Sequence, residues 1–343
     1  MDLWNYLKQT QKPIVLYGMG NGADKIISVL NSYDIKVSGV FASDGFVRKK
    51  VFHGFEVTDY KTAKDTFGDM IVLVCFGSAL TDVIANIKRI ATEQELYAPD
   101  VPVYGNVLFN EKYVKQNKEQ FEWVYNRLAD DVSKNVFRCA VMYKLTGKIE
   151  YLFECETPSE EIYKNIFKFS DSETYFDLGA YRGDTVEEFL KNVNSYNKII
   201  AIEPDKKTYN KLCIATQNVS NIENINACVS DIDGVLSFEM NGSRGSTIGA
   251  GSDTINSVTI DYLSQKTIPT YIKMDIEGAE LSAVLGAKDT ITNHKPKMQI
   301  AAYHRSEDLI SIPKNVLALR GDYKIYLRHF PSLPCWDMSY CLV

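Results

Sequence analysis

The chain has 343 residues, 45% hydrophobic and 24% charged, with a formal charge of −6, the balance of a folded protein long enough for two domains. An acidic chain without clustered Lys and Arg excludes a broad phosphate-neutralising platform, so nucleic acid is not an expected partner. The longest apolar run, Met70–Phe76, is strand length, and the seven cysteines form no C-x-x-C pair, which excludes a membrane-spanning helix, a disulfide framework and a structural zinc site.

The opening MDLWNYLKQTQKP has neither a basic n-region nor an apolar core, so a cytoplasmic setting is expected. Strand-like runs at 14–17, 37–41, 70–76 and 101–104 alternate with helical segments at 22–31, 59–66 and 79–91, which implies a parallel sheet with crossover helices. The first turn, Gly18-Met19-Gly20-Asn21-Gly22-Ala23, fits G-x-G-x-x-A, with Asp44 where an acidic ribose ligand would sit. Such glycines are equally needed for positive φ and close helix packing. Residues 1–110 therefore read as a Rossmann-like nucleotide-binding-type or docking domain, with a subunit contact in a homo-oligomer as a further use.

Residues 111–170 read as a helical connector. Phe121, Val124, Tyr125 and Leu128 follow the i, i+3, i+4, i+7 spacing of one buried helical stripe. Residues 171–343 give a fuller pattern. Strands are predicted at 174–178, 198–203, 223–229, 271–276, 297–303, 323–329 and 337–343, and helices at 184–192, 205–217, 278–289 and 307–319. A hairpin, 235–240 with 257–260, precedes the fourth strand. The last two strands flank a Pro331–Pro334 turn, so the sheet should be doubly wound and close with an antiparallel hairpin. The fold class expected is α/β: two Rossmann-like parallel-sheet domains, the second seven-stranded, joined by the connector.

Chemistry concentrates in that second half. Asp177-Leu178-Gly179-Ala180-Tyr181-Arg182-Gly183-Asp184-Thr185 is a strand, a glycine turn and a helix start. It suits a ligand carboxylate, because backbone N–H groups gather there and residues without a β-carbon permit close approach. Asp184 is a good helix cap; a capped helix without a ligand would look the same. Glu203, followed by Pro204, ends the next apolar run, where a carboxylate accepts from both ribose hydroxyls. Adenine is expected at the third strand tip, at Cys228 and Val229. The fourth strand ends in Asp275 and runs into Glu277-Gly278-Ala279-Glu280. Alternation puts Lys273 and Asp275 on one side. Asp275 and Glu277 read as site acids, whereas Glu280 reads as an acid placed by the helix dipole.

Together, DLGAYRGDT (177–185), AIEPD (201–205), ACVSDIDGVLSF (227–238), SVTIDYL (257–263) and YIKMDIEGAELSAVLGA (271–287) resemble the FkbM family of S-adenosylmethionine-dependent methyltransferases. The resemblance covers about half of the chain. It implies a class I fold, S-adenosylmethionine as donor and, in most members, oxygen methylation, often in surface-polysaccharide, glycolipid or secondary-metabolite pathways. Two features depart from it: Tyr181 stands where Asn is common, and many members lack the N-terminal half. The first glycine turn is also weakly similar to nucleotide-sugar-binding domains attached to sugar-modifying enzymes.

The expected function is methylation of a hydroxyl of a sugar, glycan or sugar-containing small molecule. An alcohol needs a base or a metal near neutral pH. His304, where the apolar fifth strand meets a polar turn, is the expected base, with Asp275 or Glu277 orienting the acceptor. His329 rivals it; His53 and His294 read as loop residues. An Mg²⁺ site at Asp275, Glu277 and His304 ranks below this metal-free arrangement, because helix-start acids are common without ions. The segment Asn241–Ser252, with Arg244, reads as a mobile loop near the site. No Asn/Asp-Pro-Pro-aromatic element marks amine methylation. The alternatives are an oxidoreductase or sugar-nucleotide-binding protein governed by the first glycine turn, and a catalytically silent binding module.

Overall fold

A computed structural model describes residues 1–43, 45, 47, 51–239, 247–248, 253–330, 333 and 338–343. Asp44, Arg244 and most of the 241–252 segment, like Pro331 and Pro334, lie outside the described residues.

Two sheets account for the architecture expected from the sequence. The first has six strands in the order Val51–Phe52, Phe55–Thr58, Gly39–Phe41, Ile14–Tyr17, Ile71–Val74, Glu95–Tyr97. Every pairing is parallel except the small hairpin at its edge. Its central strands Ile14–Tyr17 and Ile71–Val74 are buried throughout, as continuous apolar runs require when helices cover both faces. The helix Asn21–Ser32 turns Ala23, Ile26, Ile27 and Leu30 inward. One expected strand is corrected. The last strand is Glu95–Tyr97, and residues 101–104 form none. Pro102 has no N–H to donate, and the Tyr104 N–H donates instead to the His304 carbonyl at 2.9 Å.

The helices Glu111–Gln116, Lys118–Tyr125 and Asp131–Thr146 follow. Phe121, Val124 and Leu128 are buried, but Tyr125 ends its helix and stays 39% exposed. One apolar core runs through both sheets and these helices, joining Val72 and Val74 to Phe137 and Tyr143 and on to Met274 and Ile300. The buried Arg328 guanidinium fastens the Asp131–Thr146 helix to the final hairpin. It reaches Asp130 at 2.7 Å, Glu161 at 2.9 Å and the Ser133 hydroxyl at 2.8 Å.

The second sheet has seven strands in the order Ile325–His329, Met338–Leu342, Lys297–Ala301, Tyr271–Met274, Thr174–Leu178, Lys198–Ile202, Ile222–Ile225. In chain order the strands step outward from Thr174–Leu178 to Ile222–Ile225 and then resume on its other side at Tyr271–Met274, and only Met338–Leu342 is antiparallel to its neighbours. That reversal opens a crevice at the strand tips. The expected hairpin is present, Gly234–Glu239 against Asp253–Val258. The predicted helix 278–289 is shorter and starts at Glu280.

Candidate active site

The crevice begins at the turn after Leu178. Gly179 has φ +84, and a β-carbon there would lie 2.0 Å from the Asp275 carbonyl oxygen. The glycine is thus needed to bring the first and fourth strand tips together, before any ligand is considered. Its N–H and that of Ala180 donate to the Ile202 carbonyl at 3.0 and 2.9 Å. Tyr181 holds φ +48, a conformation Asn tolerates more readily than an aromatic residue. Its N–H donates to Glu203 Oε2 at 3.0 Å.

Glu203 is 7% exposed, and its other oxygen accepts from the Asp205 N–H at 2.8 Å. Burial pushes its carboxyl up to about 7 against these two hydrogen bonds, with help from the charges of Asp205 and Asp177. A carboxylate bent back on two backbone donors is held rigidly at the strand tip, with lone pairs still available to a diol.

Gly179, Tyr181, Asp184, Thr185, Glu203, Pro204, Cys228, Val229, Asp275, Glu277 and His304, all singled out from sequence, line one cavity of about 1740 Å³. Asp177, Ala180 and Gly183 do not line it. Asp177 is fully buried behind the turn and accepts from the Thr185 hydroxyl; desolvation raises its carboxyl above the ordinary range. Gly183, not Asp184, occupies the cap position of the helix Asp184–Lys191, at φ +90. Cys228–Val229, expected at the third strand tip, is buried, but the predicted strand 223–229 is divided: Ile222–Ile225 stays in the seven-stranded sheet, while Cys228–Val229 pairs in parallel with Ser257–Val258 in a separate small sheet.

At the far side His304 is 1% exposed. Its Nδ1 lies 2.9 Å from Glu280 Oε1, within ion-pair reach though off the line of a regular hydrogen bond. Its Nε2 faces Asp275 Oδ1 at 3.6 Å and Glu277 Oε2 at 3.5 Å. Burial alone would lower its pKa, but the charges of Glu280, Asp275 and Glu277 outweigh it and raise it to about 9. Tyr303 donates to Asp275 Oδ1 at 2.9 Å, and Lys273 lies 3.8 Å from Oδ2, on the same side as expected.

Sequence reasoning missed Glu280. It is 0% exposed, and its Oε1 accepts from the Ile276 N–H at 2.9 Å while facing His304. Nothing in the sequence separates it from a solvated helix-start acid; only the packing of the His304 turn does. Of the other histidines, His329 is buried without a partner on either nitrogen and does not line the cavity. Burial pushes it down to about 4. His53 pairs with Asp24 at 2.7 Å on the first domain, and His294 ends a helix.

The residues present fit an adenosyl amino acid: a glycine turn closed on the next strand tip, a rigid acidic diol acceptor and the buried Cys228–Val229 strand along the cavity. Fold and crevice together define a Rossmann-like methyltransferase domain. Residues 177–320 match the family described as methyltransferase FkbM domain. That segment, within the C-terminal half, is similar to FkbM methyltransferase domains, so this half carries a methyltransferase domain of that type.

Among solved structures, the crystal structure of methyltransferase FkbM from Methylobacillus flagellatus KT is similar over 97% of this chain and 90% of that one. The identity is 24% and the TM-score 0.74, so the likeness extends through the N-terminal half and concerns the fold. Precorrin-6y C5,15-methyltransferase from Geobacter metallireducens aligns over 53% of this chain and 84% of its own, at 11% identity and TM-score 0.35. Aeropyrum pernix fibrillarin, solved with natively bound S-adenosyl-L-methionine, aligns over 50% and 66% at 13% identity and TM-score 0.33. Neither of these two carries weight at such scores. No curated protein matches the chain. Among the described residues, no helix is long and apolar enough to cross a membrane.

Proposed function

We propose that the domain methylates a hydroxyl of a sugar, glycan or sugar-containing metabolite, and that His304 accepts the hydroxyl proton. When bound, S-adenosylmethionine supplies a methyl carbon activated by positive sulfur, leaving the chain to orient the acceptor and remove its proton. Glu203 would hold the ribose, the 179–185 turn the amino-acid end, and Cys228–Val229 the adenine. The observation that carries the assignment is the arrangement around His304. One ring nitrogen lies within ion-pair reach of Glu280, and the other is turned toward Asp275 and Glu277 at the edge of the cavity. Asp275 and Glu277 would accept the acceptor hydroxyl's neighbours and set its angle to Nε2.

A base with a pKa of about 9 is neutral in about one molecule in a hundred at pH 7. It is nonetheless a strong proton acceptor, and the rate should rise tenfold per pH unit until about pH 9. The test is to incubate the protein with methyl-labelled donor and native glycan extracts, and to identify labelled products by mass spectrometry. Label recovered as an acid-stable methyl ether supports the reading. Label on nitrogen, or on no extract component, defeats it. His304→Ala with unchanged donor affinity and unchanged turnover would remove the base alone.

Asp275, Glu280 and His304 offer ligand atoms within 4.8 Å of one another, so a metal-assisted version deserves its own arm. It ranks second because Glu280 is already engaged with His304 and the Ile276 N–H. Activity lost in EDTA and restored by Mg²⁺ would reverse that order. The nucleotide-binding alternative is weakened by the first glycine turn itself. A β-carbon on Gly22 would meet the Cys75 carbonyl oxygen at 2.2 Å, and one on Gly18 the Phe76 ring at 2.6 Å, so both glycines serve packing. Parallel titrations with S-adenosylmethionine and NAD separate the two, and donor binding with no transfer leaves the silent module.

A further inference from the structure

The cavity is not the property of the C-terminal domain alone. Lys25, Phe76, Ser78, Asp100 and Tyr104 form its opposite wall. The N-terminal half is pressed directly onto the strand-tip turn that carries Asp275 and Glu277. Gly278 has φ +94, and a β-carbon there would lie 2.8 Å from Tyr104 Cβ. The Arg305 guanidinium lies 4.2 Å from the Tyr104 ring centre, and the Ser306 hydroxyl donates to the Val107 carbonyl at 2.6 Å. Arg305 and Ser306 directly follow His304, whose own carbonyl accepts from the Tyr104 N–H at 2.9 Å.

The charges along this wall are already committed in a particular way. The Lys25 ammonium donates to the carbonyls of Pro102 and Val103. Arg305 Nε donates to the Gly278 carbonyl at 2.7 Å. Lys144, 3% exposed, lies 3.0 Å from Asp100 Oδ1. Asp100 Oδ2 is buried without a hydrogen-bond partner, and so is the Ser311 hydroxyl, one helical turn beyond Asp308; both residues line the cavity. Buried oxygens in this state require donors. Among the described residues, ten carboxylates and three Lys or Arg side chains line the cavity.

We infer that the N-terminal half is the second wall of the acceptor site, and that it selects an uncharged, hydroxyl-rich acceptor over a phosphorylated or carboxylated one. The inference deepens the methyltransferase reading and rests on it for the identity of the cavity. Hydroxyl groups supply the donors that Asp100 Oδ2 and Ser311 Oγ lack. A phosphate or carboxylate would meet a cavity with more carboxylates than cations, in which Lys25 and Arg305 are bonded to backbone carbonyls and Lys273 and His304 face the carboxylates of Asp275, Glu277 and Glu280.

The test is a calorimetric titration of the full-length protein, saturated with S-adenosylhomocysteine, with methyl glucoside, glucose 6-phosphate and glucuronate as matched probes. Methyl glucoside should bind at least tenfold more tightly than either anion. Asp100→Asn should narrow that gap, and Ser311→Ala should weaken methyl glucoside several-fold while leaving affinity for S-adenosylhomocysteine unchanged. An anion binding as tightly as methyl glucoside overturns the inference, as does a preference unmoved by both variants or the absence of saturable binding by any probe. The S-adenosylhomocysteine titration reads the methyltransferase assignment separately: its failure would sink that assignment, whereas intact S-adenosylhomocysteine binding without the sugar preference would sink the acceptor wall alone.

Discussion

Glu203 offers the sharpest check on the donor site, because one buried group there links affinity, stability and pH. Its carboxyl is pushed up to about 7 by burial, yet a ribose diol needs the ionised form as acceptor. Ionisation is about 90% complete at pH 8 and about 3% at pH 5.5. Affinity for S-adenosylhomocysteine should therefore fall about 30-fold between these values, or about 2 kcal/mol. Glu203→Gln should bind about 10- to 100-fold more weakly at pH 8, as expected for loss of charge-assisted hydrogen bonds, and show no such slope. The stability effect has the opposite sense. The folded protein takes up a proton between the unfolded value near 4.5 and the folded value of about 7, so stability declines as pH rises through that window. Above it the penalty is about 3 kcal/mol, and Glu203→Gln should recover much of this in a urea melt at pH 8. A flat affinity profile in the wild type, or an unchanged slope in the Gln variant, would refute the assignment of Glu203 to the ribose.

Gly179→Ala adds a β-carbon 2.0 Å from the Asp275 oxygen at φ +84 and should cost about 2–5 kcal/mol along with donor affinity. Gly20→Ala, at φ +108 with nothing within 4 Å, should cost only about 1–2 kcal/mol; equal losses in chemical denaturation would contradict the packing argument. Burial holds the His329 imidazole down to about 4, whereas the unfolded chain protonates near 6.5. Stability should thus fall by up to about 3 kcal/mol as pH drops through that interval. His329→Leu should remove that part of the acid sensitivity, and a variant as acid-sensitive as the parent would show that His329 is not its source. Arg328→Met leaves Asp130 and Glu161 facing a neutral side chain and should cost about 3–5 kcal/mol, read as a lowered urea midpoint; a change below 1 kcal/mol would mean water replaces the guanidinium.

Much of the fold was legible because each parallel strand is an unbroken apolar run ended by a turn. Thr174–Leu178, Lys198–Ile202 and Tyr271–Met274 lie within a residue or two of their predicted ranges. The misses have local causes. Glu95–Tyr97 is three residues long and adjoins a helix without an intervening Gly or Pro, so hydropathy alone does not detach it. Residues 101–104 alternate like a strand but are drawn off the sheet by a hydrogen bond to a residue two hundred positions away. The 177–185 turn was legible as a motif, yet part of its physical reason lay elsewhere. Gly179 answers to the Asp275 carbonyl, and Asp177 to the Thr185 hydroxyl.

The acceptor side shows why a motif-based reading stops at the donor. A methyl donor has one chemistry, and most of the residues proposed to meet it lie at strand tips of the seven-stranded sheet, so their spacing in the chain is regular. The opposite wall is contributed by Asp100, Tyr104 and the glycine-turn helix of another sheet. Its residues are related to His304 by the Tyr104 hydrogen bond and by the apolar core that joins the two sheets, neither of which leaves a regular spacing in the chain. Gly278 is the point where the two kinds of constraint meet: its sequence neighbours belong to the family motif, while its positive φ and missing β-carbon make room for Tyr104. If that contact sets the cavity, Gly278→Ala should displace the Asp275–Glu277 turn and weaken the sugar probe more than S-adenosylhomocysteine. Tyr104→Ala in the same chain should relieve the crowding and restore part of the loss. Two independent, additive effects on probe affinity would show instead that the halves merely touch.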